Sequence, residues 1–495
     1  MIQRIKSTAT ATFIYSLGNL SVKLTDFILL PLYTSTLSTA EFGILGTLEV
    51  TSQMLVAILG ISLPTAMLRW CSSEKTQADV QSVVFTTFSS ILAILIAFNL
   101  VMFPFSAGFS QLVLESPDYS RYFNLLFLSL SFDLLNLVVL NLIRFHEKPF
   151  FYIMLNAVKL SVILGLNIYF LQVLKMGIEG IILGQLIGSA LLSIFSLPFV
   201  FKNSNFHFSW PVFKAMSKYG FPLIFTTISA LLLSMGDRFI IPRLLSLSDL
   251  GVYTLGYKMG GIINMFILQS FQLGFLPIAY KMYEEKDAKR FFSKVLTYFS
   301  ILLVVAALGL SMFSKEIIIL FSKSNSDYWA AFVVVPLISF SFVIKGWQYY
   351  FSLGLHYVKR TSYNAWIVMG CAALSLGLNF LLIPAFGIVG AAITMILANA
   401  VMAVLFYIVS QRFYRINFEL TRILKMTVTG LVIYGLSFFV SESNFWLGIV
   451  VKALLFAAFP VMLYFLKFFD PAELMHIRQF VNSMKGRLLF KQNNS

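Results

Sequence analysis

The 495-residue chain is 59% hydrophobic and only 12% charged, with a mean hydropathy of +0.86. Soluble globular domains carry about 25% charged residues, so this composition excludes a soluble protein and is typical of one embedded in a membrane. The net charge of +15 first indicates basic cytoplasmic loops, and no nucleic-acid partner is expected. The two cysteines, Cys71 and Cys371, are far apart in sequence and predict neither a disulfide framework nor a metal site.

Apolar segments long enough to cross a membrane follow one another along the chain. A helix needs about 20 mostly apolar residues to cross roughly 30 Å of hydrocarbon, which gives about fourteen candidate spans. The first residues, MIQRIKSTAT, are basic, but no small-residue cleavage site ends the first apolar run, so a retained helix is expected rather than a signal peptide. The predicted spans are 9–32, 42–66, 81–107, 121–144, 150–173, 177–201, 215–239, 251–279, 291–314, 327–352, 360–384, 387–411, 421–440 and 445–468.

Basic residues are distributed unequally between the two sides that these spans define. With the N-terminus inside, the inside segments and their flanking helix ends hold 25 of the 36 Lys and Arg residues, and the outside loops hold 6. Positive residues collect on the cytoplasmic side of membrane proteins. The bias therefore favours an even number of spans and cytoplasmic N- and C-termini. Five lysines remain inside predicted spans: Lys23, Lys159, Lys258, Lys345 and Lys452.

The chain contains an internal repeat. LTDFILLPLYTSTLSTAEFGIL, residues 24–45, matches the region SMGDRFIIPRLLSLSDLGVYTLGYKM, with Asp26 against Asp237 and Gly43 against Gly251. Further along, GISLPTAM resembles LGFLPIAY, and LGLNIYFLQVLKMGIEG resembles LGLNFLLIPAFGIVG. These pairs keep the same order at separations of about 208 to 213 residues, which favours duplication over chance.

The repeat unit contains six spans, so both copies insert with the same polarity, as parallel repeats related by an axis along the membrane normal. The predicted fold class is an all-α integral membrane protein of about 14 transmembrane helices. Two parallel six-helix repeats form two lobes around a central cavity, and two extra helices follow. The predicted boundaries are 1–203 and 204–414 for the lobes, 415–470 for the extra helices and 471–495 for a basic amphipathic cytoplasmic tail.

A second interpretation of the paired loops is purely structural. Pro31 and Pro242 would end one helix, and the acidic residues Glu41 and Asp249 would cap the next. Asp26 fits this interpretation less well, because it lies well inside the first predicted span.

The repeated segments resemble the polysaccharide flippases of the MATE-like multidrug/oligosaccharidyl-lipid/polysaccharide exporter superfamily, which handle O-antigen and capsule-type oligosaccharides. ILLPLYTSTLSTAEFGILG, GISLPTAMLRW and the second-half segments quoted above carry the resemblance, which covers about 410 residues. It implies two lobes around a cavity and an undecaprenyl-diphosphate-linked glycan as substrate. It also implies a bacterial inner-membrane location, contact with membrane lipids, a role in lipopolysaccharide or other surface polysaccharide biosynthesis, and a polysaccharide polymerase and chain-length machinery as partners.

Buried positive charge suits such a cargo, because an anionic diphosphate cannot cross hydrocarbon without compensation. Lys23 and Lys159 lie roughly 13 Å from the nearer ends of their spans, too deep for the side chain to reach the interface easily. Lys258, Lys345 and Lys452 lie about seven residues from an end of their spans, where a lysine side chain can reach the interface. For Lys452, in the unrepeated last span, this is the simpler explanation. The predicted substrate-binding residues of a cationic cavity are Lys23, Lys159, Arg238, Lys258 and Lys345.

Four acidic residues in or near spans have two interpretations. Each can neutralise a lysine, as Asp26 would do for Lys23 on one helix face. Alternatively, a carboxylate binds H⁺ or Na⁺ and couples transport to an ion gradient, and Asp133, about midway along its span, is the best candidate. No other cofactor is expected. The candidates for ion coupling are Asp26, Glu49, Asp133 and Asp237.

The predicted function is a flippase that moves undecaprenyl-diphosphate-linked oligosaccharide units from the cytoplasmic to the periplasmic leaflet by alternating access. One alternative is an ion-coupled multidrug or small-molecule antiporter, whose cavity should be apolar or acidic. A peptidoglycan-precursor flippase is the other and differs only in substrate. A membrane polymerase or ligase needs catalytic groups outside, but all four histidines fall inside, so an enzyme is not expected.

Overall fold

The computed structural model describes residues 27–73, 76–283, 285–322, 325–358, 360–440, 445–471 and 473–475, and over these residues the chain is helical, as predicted. The helices are α1 Phe27–Thr36, α2 Thr39–Gly60, α3 Leu63–Ser73, α4 Gln77–Met102, α5 Ser106–Leu114, α6 Ser120–Phe145, α7 Pro149–Ile168, α8 Gly177–Lys202, α9 Trp210–Met235, α10 Asp237–Leu244, α11 Leu247–Gly260, α12 Gln269–Met282, α13 Ala288–Met312, α14 Ser314–Ser322, α15 Val335–Tyr357, α16 Thr361–Phe386, α17 Ile388–Phe413, α18 Leu420–Ser437 and α19 Phe445–Phe465.

The described residues contain 11 helices long and apolar enough to cross a membrane. The number is 12 if the short helix Ser326–Val333 and α15, which meet at a bend of 43°, form one span. The predicted count of fourteen therefore stays a prediction. Most of the first predicted span lies in residues 1–26, outside the described residues. Helix α18, which covers most of the predicted span 421–440, is not among the 11, and it carries the charged residues Arg422 and Lys425 near its start.

The helices group into two compact units. Unit 1 contains residues 1–283 and 314–415, and unit 2 contains 284–313 and 416–495. Within unit 1, α1–α8 belong to the first sequence repeat, and α9–α12 with α14–α17 belong to the second. Unit 2 consists of α13, α18 and α19. The predicted domain boundaries stay predictions.

The duplicated loops are helix caps, as the structural interpretation proposed. Ser38 accepts a hydrogen bond from the backbone N–H of Glu41, whose carboxylate accepts one from the Ser38 N–H at 2.8 Å. Ser246 caps α11 in the same way through the N–H of Asp249, at 3.0 Å. Such caps satisfy N–H groups that a helix start leaves without partners. Pro242, by contrast, lies inside α10 and does not end it.

The duplicated helices α2 and α11 cross where their glycines match. A Cβ atom on Gly43 would lie 2.1 Å from the carbonyl oxygen of Leu247, and one on Gly251 would lie 1.8 Å from that of Thr39. Only glycine permits this approach of two backbones. Gly43 and Gly251 are equivalent in the two repeats, and so are Thr39 and Leu247, each pair at a separation of 208 residues. The contact is therefore pseudo-symmetric, and we call these four residues the outer seam.

Unit 2 is held together at one end by an ionic cluster. Lys294 of α13 contacts Glu419 at 2.7 Å and Asp470 at 2.5 Å. Arg422 of α18 contacts Glu473 at 2.7 Å and Glu419 at 3.0 Å. These contacts tie the segment after α19 to the starts of α13 and α18.

This cluster predicts a dependence of stability on pH. The hydrogen bond from Lys294 holds the pKa of Asp470 below its usual range. A carboxylate with a lowered pKa in the folded state stabilises the protein above the unfolded pKa, about 3.9, and loses that contribution as the pH falls through the folded value. We expect Asp470→Asn to lower the melting temperature at pH 7. The difference from the unmodified protein should begin to shrink at about pH 4 and vanish only once the pH is below the lowered pKa of folded Asp470. Thermal melts of both proteins in detergent check this, and an equal difference at all pH values would contradict it.

Candidate substrate cavity

A cavity of about 1220 Å³ lies in unit 1 between helices of the two repeats. The first repeat contributes α2, α3, α6, α7 and α8 to its wall, and the second contributes α9, α12 and α15. Between α2 and α3 the helix is interrupted at Ile61 and Ser62, which have φ values of 46° and 53°. This break interrupts the predicted span 42–66 and lies beside cavity-lining Gly60, Ser62 and Pro64.

The first charged group in the cavity wall joins three helices. Lys159 of α7 donates to Asp133 of α6 at 2.8 Å. The same carboxylate accepts from Ser189 of α8 at 2.6 Å and from Gln185 at 3.3 Å. Lys159 and Asp133 were both predicted site residues, and the structure brings them together. Hydrogen bonds from three side chains thus hold this carboxylate in place in the cavity wall.

The second charged group in the cavity wall, Arg144, is not among the predicted site residues, because it ends its predicted span and counts with the basic residues of the cytoplasmic side. It lies in the last turn of α6, lines the cavity and donates to the Tyr152 hydroxyl at 2.5 Å. Its guanidinium group lies 4.8 Å from the centre of that ring. Arg144, Lys159 and Asp133 are the charged residues of the cavity wall, so the described lining carries one excess positive charge.

Side-chain amides dominate the rest of the polar lining. Asn136 donates to the Ser189 carbonyl at 2.9 Å, and Asn141 donates to the Pro64 carbonyl at 3.0 Å. These bonds fit the usual structural role of asparagines between membrane helices. The glutamines were not singled out from the sequence, although amides in apolar spans are a recognisable signal. The amide residues of the lining are Gln53, Asn136, Asn141, Asn156, Gln185, Gln269 and Gln272.

Two other predicted site residues form an ion pair away from the cavity lining. Lys258 of α11 donates to Glu49 of α2 at 2.7 Å, and its ammonium group lies 5.8 Å from the ring centre of buried Phe42. The pair therefore connects the two repeats. Neither residue lines the cavity.

The remaining predicted residues lie in the second repeat or outside the described residues. Arg238 is 2% exposed, with its guanidinium group 4.4 Å from the Tyr257 ring centre. Asp237 is 5% exposed and accepts a hydrogen bond from the Tyr253 hydroxyl. Lys345 lies 3.4 Å from the Ser234 hydroxyl. None of these three predicted residues lines the cavity, and Lys23 and Asp26 are outside the described residues.

Comparison with known proteins identifies the family. A family model described as "Polysaccharide biosynthesis protein" matches residues 9–283, more than half of the chain. The chain belongs to the polysaccharide biosynthesis protein family. It is also 26% identical over 241 residues to the "Probable low-salt glycan biosynthesis flippase Agl15" of Haloferax volcanii. That match spans 48% of this chain and 48% of the relative, about half the length of each.

The fold of this polysaccharide biosynthesis protein is similar to that of two solved transporters. The lipid II flippase MurJ in an inward closed conformation aligns with a TM-score of 0.72 and 13% identity, covering 94% of this chain and 99% of MurJ. An inward-facing multidrug resistance MATE family transporter aligns with a TM-score of 0.66 and 14% identity, covering 80% and 94%. The polysaccharide biosynthesis protein is thus a multi-pass membrane protein with a MurJ- and MATE-like fold.

Proposed function

We propose that this protein moves undecaprenyl-diphosphate-linked oligosaccharide units from the cytoplasmic to the periplasmic leaflet of a bacterial inner membrane by alternating access, for surface polysaccharide biosynthesis. The observation that carries the proposal is the cavity between the two repeats, with its excess positive charge and its amide-rich lining. Membrane-lipid contact, a polymerase and chain-length machinery as partners, and cytoplasmic termini are parts of this proposal.

The cavity size and chemistry support a glycan headgroup. Its volume of about 1220 Å³ exceeds the roughly 300–1,000 Å³ of typical small-molecule pockets. Amide groups can donate to and accept from sugar hydroxyls, while Lys159 and Arg144 offset the cost of removing a diphosphate from water. Because Asp133 neutralises part of this charge, binding stays weak enough for release.

An antiporter of cationic compounds is less well supported. Such cargo favours an apolar or acidic cavity, whereas the described lining carries one excess positive charge and its acidic residue, Asp133, already accepts from three donors. A peptidoglycan-precursor flippase would also carry a diphosphate-linked cargo, so only the identity of that cargo distinguishes it from the proposed function. The proposed activity forms no covalent bond, in keeping with a transporter rather than an enzyme.

Ion coupling, within this proposal, fits Asp237 better than the predicted Asp133. Glu49 and Asp133 each hold a lysine, at 2.7 and 2.8 Å. Asp237 accepts from Tyr253 through Oδ2, and its Oδ1 has no hydrogen-bond partner among the described residues. A proton or Na⁺ at Oδ1 of Asp237 would therefore displace no hydrogen bond from a described side chain, whereas at Glu49 or Asp133 it would compete with a lysine.

Replacing the cavity cations tests the proposed cargo. We expect Lys159→Met and Arg144→Met each to lower surface polysaccharide at least tenfold in the native host, because each removes a charge that compensates the diphosphate, by about 1.4 kcal/mol or more. Immunoblots of membranes measure protein amount. Lys452→Met is the matched control, since it removes a spanning lysine of unit 2 that does not line the cavity, and it should leave polysaccharide unchanged.

The same strains separate the two transporter classes. We expect no effect of this protein on accumulation of a cationic dye such as ethidium. Normal polysaccharide in both cavity variants, or dye export that depends on the protein, would contradict the proposal.

A further inference from the structure

The outer seam is reinforced by reciprocal contacts between the repeats. Thr34, in the last turn of the first repeat's α1, donates to the Phe321 carbonyl of α14 at 2.7 Å. Arg243 of α10 donates to the Leu112 carbonyl of α5 at 2.8 Å. Each repeat therefore has a short helix, α5 in the first and α14 in the second, in which a backbone carbonyl accepts a hydrogen bond from a side chain of the other repeat. All these residues lie on the side that the distribution of basic residues assigns to the outside.

The Glu49–Lys258 ion pair lies between this seam and the cavity. Glu49 is six residues beyond Gly43 on α2, which corresponds to roughly 9 Å along the helix. Gln53, one turn further, lines the cavity. A path from the cavity to the outside along α2 and α11 must therefore separate Glu49 from Lys258.

The pair breaks the symmetry of the seam. At the separation of 208 residues that relates Gly43 to Gly251, the equivalents of Glu49 and Lys258 are Tyr257 and Val50. The glycine crossing and the caps are duplicated, but the ion pair is not. Its side chains are 33% and 16% exposed, so solvent screens it only partly.

We propose that the Glu49–Lys258 pair is a latch that stabilises the closed outer side and breaks when the protein opens outward. The backbone contacts of the four outer-seam residues are neutral, so they respond little to charge. The Glu49 and Lys258 side chains, by contrast, exchange a direct contact for hydration when the repeats separate. Neutralising either residue therefore shifts the population toward the outward-open state. This inference rests on the alternating access of the proposed function and does not depend on its cargo.

Labelling of a cavity cysteine from the outside tests the latch. The native cysteines are replaced by Cys71→Ala and Cys371→Ala, and Gln53→Cys is the reporter. Right-side-out membrane vesicles receive a membrane-impermeant maleimide. We expect Lys258→Met and Glu49→Gln each to speed labelling about tenfold, because a shift of about 1.4 kcal/mol in the equilibrium is tenfold in population. The charge-swapped double variant, Glu49→Lys with Lys258→Glu, should return the rate toward that of the unmodified latch.

Two controls distinguish a latch from general loosening. Arg121→Met breaks an ion pair with Glu179, at 2.5 Å, inside the first repeat, and it should leave outside labelling unchanged. In inside-out vesicles the latch variants should label more slowly than the starting protein, whereas an unfolded variant labels fast from both sides. Unchanged labelling in both single variants, or equal acceleration by Arg121→Met, would overturn the proposal.

Discussion

Gly251→Ala abolishes transport and leaves the outer side of the protein open: this is the result we expect from the crossing of α2 and α11. The added methyl group would lie 1.8 Å from the Thr39 carbonyl oxygen and 3.1 Å from the backbone nitrogen of Gly43. Both are backbone atoms, so no rotamer change relieves the clash. Overpacking of this kind costs about 1–3 kcal/mol, enough to change the population of the closed state by about fivefold to more than a hundredfold. Surface polysaccharide and outside labelling of the Gln53→Cys reporter measure the two effects.

The matched control is Gly165→Ala. Gly165 lies in membrane helix α7, and a Cβ atom there meets nothing within 4 Å. Alanine is the better helix former, so this variant should be as stable as the unmodified protein and should transport normally. Normal transport by Gly251→Ala would show that α2 and α11 can move apart at the outer seam without destabilising the closed state, which would contradict the prediction. Loss of transport by both variants would show that the assay detects any change of a helical glycine.

The second large effect concerns the buried charges at the start of α10. We expect Asp237→Leu to destabilise the protein by about 3–5 kcal/mol, because Arg238 would lose its neighbouring opposite charge while 2% exposed. Arg238→Met should cost less, since an aspartate can take up a proton and an arginine cannot lose one. The double variant Asp237→Leu/Arg238→Met should be more stable than Asp237→Leu alone. Thermal unfolding in detergent gives this order.

Arg243→Met provides the comparison within the same helix. Its side chain is 45% exposed and lies 3.7 Å from Glu115, so we expect a loss of at most about 1 kcal/mol. If Asp237→Leu is no more destabilising than Arg243→Met, the buried pair does not stabilise the fold. If the double variant is the least stable, the two charges act independently.

The candidate site was predictable from the sequence only in part. Lys159 and Asp133 are both visible as charges deep in apolar segments, but their contact at 2.8 Å joins residues 26 positions apart on different helices. Arg144 ends its predicted span and counts with the basic residues of the cytoplasmic side, although α6 carries it into the cavity wall. Hydropathy gives depth along a helix, but it does not say which way a charge at the end of a span faces.

The outer seam, too, was predictable from the sequence only in part. The match of Gly43 to Gly251 was readable as a repeat, and the capping residues Glu41 and Asp249 as helix starts. That the two glycines pack against one another follows only from the assembled repeats, because duplication fixes equivalence and not contact. Glu49 and Lys258 are 209 positions apart, and each was predicted for a different role.

The sequence by itself determined the membrane class, the helical fold, the repeat and the family resemblance. These properties follow from composition and from short-range patterns, since about 20 apolar residues suffice to cross a bilayer whatever their neighbours. The tertiary structure decided which charges pair, which face the cavity and where the repeats meet. Those outcomes depend on helix rotation, and spans that are apolar on every side, such as α8 and α16, carry little information in their sequence about which face turns inward.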